Sequence, residues 1–210
     1  MATAFAEITF TDAVKAAQER HGSRASYARL ETETAPRRDH LTAKERQFIA
    51  ARDGFYQATV NEDGWPYVQF RGGLPGFLQV LDDRTIAYAD FSGNKQYLST
   101  GNLARNERIA LILMDYAGRR RLKLWGRASL VDVQGDPFLI ERLADPAYPA
   151  TVERAVVIRI EALDWNCPQH ITQRFTEAEL EAALAPVREE IVALRAENER
   201  LRAVDSPHAQ

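Results

Sequence analysis

At 210 residues with 45% hydrophobic content, the chain is long enough for one core of ordinary density, or for one domain with helical appendages. A net charge of −3 excludes a global electrostatic pull toward nucleic acid, so any anion site has to be a local basic cluster. The single cysteine, Cys167, excludes an internal disulfide framework, and no apolar run reaches the roughly 20 residues needed to cross a bilayer. Residues 1–10 lack the basic start and long apolar run of a signal peptide, so the cytoplasm is the expected address, with no membrane partner.

In chain order, residues 11–21 place Val14, Ala17 and Gln18 at helical spacing behind Thr9 or Thr11 as N-cap, and Gly22 ends the pattern. Residues 23–40 turn polar around Pro36 and predict an extended arm. Thr42 and Glu45, three apart, form a capping box ahead of a helix carrying Phe48 and Ile49, closed by Asp53-Gly54. From Phe55 the period becomes two: residues 55–60, the turn 61–64 and residues 65–70 predict a β-hairpin. Further strands are expected over residues 76–81, 85–90, 109–115, 121–133 and 155–163, with helices over 94–106 and 136–143 plugging the ends. Short strands at this spacing predict an antiparallel barrel, a mainly β fold with flanking helices.

Three segments offer donors to an anion. Arg71-Gly72-Gly73 ends the second hairpin strand, where glycine permits close backbone approach. The run from Asp90 through Ser92, Asn94, Lys95 and Gln96 leaves a strand and opens a helix, whose first amides face an anion. Residues 119–127 alternate basic and apolar residues on a strand, aiming Arg121, Lys123 and Trp125 to one face. Taken singly, each also reads as an ordinary loop, turn or solvated strand face. The four histidines fall in no metal-ligand spacing, so no metal is expected.

The order of these segments resembles the pyridoxamine-phosphate oxidase superfamily of split β-barrels that bind flavin mononucleotide (FMN). The likeness is carried by Asp63-Gly64-Trp65-Pro66 leading to Arg71, by Gly93-Asn94-Lys95 with residues 106–111, and by the basic strand 121–127. The resemblance implies that Arg71, Gly72, Ser92, Asn94, Lys95 and Gln96 contact FMN, with Arg71 and Lys95 on its phosphate, and that Arg121 and Lys123 lie near the flavin ring. It also implies a homodimer with FMN at the subunit interface. The chain departs from the oxidases at Asn94, where they have Arg, and at Arg121, where they have Gln. The Trp- and Arg-rich C-terminal signature of the pyridoxine-phosphate pocket is not visible either. Instead, residues 163–171 resemble a tail motif of a predicted flavin-nucleotide-binding subgroup, in which Trp165, Asn166 and His170 face the flavin; alternatively, Trp165 caps the core and Cys167 is an inert thiol.

The expected division is an N-terminal helix and arm over residues 1–40, an FMN-binding split barrel over 41–175, and an amphipathic helix over 176–210. In that helix Leu180, Leu184, Val187, Ile191, Leu194, Asn198 and Leu201 recur at alternating spacings of four and three, a heptad seam interrupted by Pro186. It either pairs with a second copy or lies on its own barrel. The function read from these features is an FMN-dependent oxidoreductase acting on a small molecule, with catalytic residues unassigned. The alternatives are a flavin- or haem-binding protein of the same barrel type and an interaction protein built on the C-terminal helix.

Overall fold

The computed structural model describes residues 2–165 and 168–204. Asn166 and Cys167 lie outside the described residues. The strands are β1 (Gly54–Val60), β2 (Pro66–Gly72), β3 (Gln79–Val80), β4 (Thr85–Phe91), β5 (Arg108–Asp115), β6 (Arg120–Asp132) and β7 (Val152–Trp165). All pair antiparallel in one sheet, in the order β2-β1-β5-β6-β7-β4-β3.

Alternation decides what faces inward. Ile109, Leu111 and Leu113 on β5 and Leu122 and Leu124 on β6 are buried, as are Phe55 on β1 and Ile158 and Ile160 on β7. Among the described residues no backbone ladder joins β2 to β4, so the sheet closes through side chains. Arg71 on β2 lies 2.7 Å from Asp90 on β4, Tyr88 on β4 donates its hydroxyl to Gln57 on β1, and the Phe55 and Tyr88 rings meet edge to face at 5.3 Å. This is a split barrel. The β1–β2 turn forms because the Asn61 carboxamide accepts the Asp63 and Trp65 amides at 3.1 and 2.8 Å, while Gly64 takes a φ of +86°.

Helices α1 (Ala4–Thr9), α2 (Asp12–Arg20) and α3 (Arg24–Ala28) precede the barrel. Helix α4 (Ala43–Ala50) starts with the expected box, the Thr42 amide donating to Glu45 Oε2 at 3.0 Å, and sends Phe48 and Ile49 into the core. Helix α5 (Leu98–Arg105) packs on β1 and β6, and α6 (Pro137–Leu143) covers Ala87, Ala89 and Ala155 of β4 and β7. Helix α7 (Glu177–Val204) is exposed along its whole described length. Among the described residues no helix is long and apolar enough to cross a membrane.

Three expectations change. The arm over 23–40 is not simply extended: it contains α3 and a 3-10 turn over Arg29–Glu31, folded because the Glu31 carboxylate is shared by Arg24 and Lys15. Helix α1 was not foreseen; Thr3 caps it, its Ala4 and Ala6 are buried, and its Phe5 ring lies 5.3 Å from Trp125. The strand expected over 76–81 shrinks to Gln79–Val80, because Gly76 is left-handed at φ 87° and the Phe77 amide closes a turn onto Leu74 O at 3.0 Å.

Candidate anion-binding site at the barrel seam

Inward-facing Tyr67, Gln69 and Arg71 of β2 meet the end of β4 and the start of α5 around a cavity of about 90 Å³. A bulge between Asp90 and Phe91 ends the regular β4–β7 pairing and turns the chain into the loop over residues 92–97. Two non-glycine residues of that loop are left-handed, Lys95 at φ 60° and Tyr97 at φ 53°. Such residues cost about 1–3 kcal/mol each and cluster where function requires them. The next residue, Leu98, begins α5, and no side chain caps its first turn, so its amide end is open to a ligand.

The helix expected from Asn94 therefore starts four residues later. Asn94 instead shapes the loop, its Oδ1 accepting the Gln96 amide at 3.1 Å. Gly93, Asn94, Lys95 and Gln96 line the cavity together with Arg71. Ser92 is not part of the lining, and its amide donates to Thr151 O at 2.8 Å. Gly72 also lies outside it: a Cβ there would meet the Phe70 ring at 2.8 Å, so the missing side chain makes room for Phe70 rather than for an anion.

Beneath the cavity, Asp90 is only 5% exposed and lies 2.7 Å from Arg71 Nη1 and 3.1 Å from Arg154 Nη1. Arg154 of β7 also donates to Thr100 Oγ1 at 3.0 Å and lies over the Tyr97 ring at 5.2 Å, tying β7 to the start of α5. Sequence reasoning missed Arg154 and took Asp90 only as the start of the run that opens the loop. The available signal was an acid ending the otherwise apolar inward set of β4, which has to find cations. Arg71 keeps a buried Nε without a partner, and burial pushes the Tyr88 phenol far above its usual range, so it remains a neutral donor.

Arg121 and Lys123 do not join this cluster within one chain. They face outward on β6, on the opposite side of the wall whose inner surface carries Leu122 and Leu124. There Lys123 lines an apolar concavity of about 190 Å³ with Tyr56, Ala58, Val68 and Trp125. Arg121 has a buried Nε with no partner. Asp164 stands opposite Lys123, and burial pushes its carboxyl up against the pull of Lys123, Arg38 and Arg121. On the same face Val68 and Phe70 are 59% and 58% exposed. Phe77 and Trp125, by contrast, are half-buried, packed on Phe55 and Phe5 respectively.

Trp165 sits against α4. Its Nε1 donates to Glu45 Oε1 at 2.7 Å, its ring meets Phe48 edge to face at 4.8 Å, and Lys44 Nζ lies 4.4 Å above it. These are the contacts of a core cap. His170 is exposed in the loop before α7, left-handed at φ 63°. Among the described residues no group of three or more His, Cys, Asp or Glu could hold a metal ion.

The fold and this cluster define a split-barrel protein with a cavity lined by Arg71 and Lys95 at its seam. The chain belongs to the pyridoxamine 5'-phosphate oxidase family, whose sequence profile matches residues 41–166. No curated relative matches. Similar solved structures include HupZ of Group A Streptococcus, at 17% identity and a TM-score of 0.49 over 64% of this chain and 99% of that one. An FMN-binding protein from Syntrophomonas wolfei is 14% identical, with a TM-score of 0.42 over 71% of this chain and 97% of that one. A pyridoxamine 5'-phosphate oxidase-related, FMN-binding protein from Nostoc punctiforme is 11% identical, with a TM-score of 0.40 over 57% and 76%.

Proposed function

We propose that the protein is an FMN-dependent oxidoreductase acting on a small molecule, with each FMN held between two copies of the chain. The observation that carries this reading is the convergence of Arg71, Lys95 and the uncapped start of α5 on one cavity, in a chain of this family. The cradle fits a phosphate ester: it offers a guanidinium with a free Nε, an ammonium and open amides. Bound there, FMN supplies two-electron redox chemistry that no side chain of the protein offers.

The chain's own residues bind and orient. Arg71 and Lys95 hold the phosphate, while Asp90 and Arg154 fix the Arg71 guanidinium between β2 and β4. Arg121 and Lys123 of the partner subunit reach the ring, because in a single chain they face away from the cradle. A fixed cation there stabilises negative charge that develops on reduction. The exposed Val68 and Phe70 beside them supply apolar surface for the subunit contact.

The test begins with the purified protein, its absorption spectrum and mass spectrometry of any ligand it carries. FMN is expected; a Soret band would reassign the protein to haem, and a colourless protein that ignores added FMN sinks the reading. Arg71→Ala combined with Lys95→Ala should weaken FMN by about 2–5 kcal/mol. Light scattering after deletion of residues 185–210 should still find a dimer that holds flavin. A flavin-free monomer would show that α7, not the barrel, makes the dimer.

A further inference from the structure

Helix α7 runs 28 residues, and over residues 177–203 it buries no side chain. In proteins a helix draws most of its stability from packing an amphipathic face, so a helix this long with its apolar face in water is missing a partner. The face is regular. With Asn198 at heptad position a, Leu184 and Ile191 share that position and Leu180, Val187, Leu194 and Leu201 fall at d. The six apolar seam residues are each between 43% and 59% exposed. Their burial against the chain's own barrel, the alternative left open by sequence, is not what the structure contains.

Charge identifies the partner. Glu190 and Glu197 occupy the g positions, and Arg188, Arg195 and Arg202 occupy e. In a parallel pair each g residue meets the following e residue of the other strand, which sets Glu190 against Arg195 and Glu197 against Arg202 in both directions. In an antiparallel pair g meets g and e meets e, so glutamate would face glutamate and arginine would face arginine. Among the described residues no ion pair engages Glu190, Arg195 or Arg202, whereas Arg188 is paired with Glu181 at 2.5 Å and Glu197 with Arg200 at 2.7 Å, both within one helix. Asn198 at a is satisfied by its own counterpart only when two strands lie in register. Pro186 falls at c, so its missing amide donor lies on the outer side and not in the seam.

We infer that α7 is a dimerisation helix whose occupant is the α7 of a second copy of this chain, packed parallel and in register. Phe175 and Thr176, just before the helix, and Glu179 in its first turn border a cavity of about 370 Å³ with Tyr56 and Phe70, so the seam starts beside the exposed face of the barrel. The inference does not depend on flavin.

The test uses the full chain with Cys167→Ser, so that an introduced thiol is the only one. Leu194→Cys, at d, should give a disulfide-linked dimer on mild oxidation, whereas Ala196→Cys, on the outer face at f, should give little. Adding Glu190→Arg with Glu197→Arg, or Arg195→Glu with Arg202→Glu, should each cut the cross-link at residue 194 severalfold. Co-expressing the two charge variants under different tags should restore it as a mixed dimer. Equal cross-linking at 194 and 196, no cross-linking at 194, or no rescue on co-expression would each overturn the parallel pairing. Because the exchanged residues are exposed, an unchanged thermal transition of the barrel separates these outcomes from misfolding.

Discussion

Replacing Lys95 by alanine isolates the phosphate from the rest of the proposed cofactor. Lys95 is exposed and its side chain makes no hydrogen bond or ion pair among the described residues, so folding stability should stay within about 0.5 kcal/mol of the parent. The backbone strain at φ 60° is common to both, since alanine carries the same Cβ. A hydrogen bond to a charged group contributes about 1.5–3 kcal/mol, and solvent at the mouth of the cavity favours the lower end. Since 1.4 kcal/mol is tenfold in affinity, the Kd for FMN should rise about tenfold. Riboflavin, which lacks the phosphate, should bind parent and variant alike. Titration of both ligands by flavin fluorescence or calorimetry reads the difference directly. An equal loss for riboflavin, or an unchanged Kd for FMN, refutes the assignment. Arg71→Ala is a less clean probe, because it leaves the buried Asp90 with Arg154 alone and lowers stability as well.

Arg121→Gln should leave flavin occupancy nearly intact and lower the reduction potential of the bound flavin; collapsed occupancy with an unchanged potential would make Arg121 a binding residue only. Trp165→Phe removes the donor at 2.7 Å from the buried Glu45 carboxylate and should cost about 1.5–3 kcal/mol in urea denaturation near neutral pH. A loss under about 0.5 kcal/mol would mean that the contact contributes nothing net. For Glu45 itself, burial pushes the carboxyl up, but the hydrogen bonds from Thr42 and Trp165 outweigh it and hold the pKa below the ordinary 4.5. Its stabilisation is therefore complete above that ordinary value and is lost as pH falls through the lowered folded value, so Glu45→Gln should flatten the acid limb of a pH series of urea melts.

The hairpin, the α4 capping box and the alternation of β5 and β6 were legible because each rests on residues within a few positions of one another. Asn94, Lys95, Gln96 and Arg71 were legible as a cluster because the end of β2 and the loop after β4 carry them to one cavity. Long-range pairing was not legible. Asp90 and Arg154 are 64 residues apart, and only the register of β4 on β7 sets them side by side. Gly72 was read correctly as a vacancy but given to the wrong neighbour, because a glycine does not say which group fills the space it leaves. Helix α1 escaped because six residues capped by Thr3 depend on the barrel wall beneath them for their stability. The opposed faces of Arg71 and Arg121 are invisible along a sequence, since they follow from which side of the wall each strand presents.

A barrel closed by side chains behaves like a clasp rather than a weld. Parting β2 from β4 breaks no ladder; it separates Arg71 from Asp90 and Tyr88 from Gln57. An anion bridging Arg71 to the loop over 92–97 spans the same gap, so cradle occupancy and closure become one linked equilibrium, in which ligand stabilises the shut form by RT ln(1 + [L]/Kd). Amide exchange along the free edge of β2 should therefore slow when the proposed phosphate ester is added.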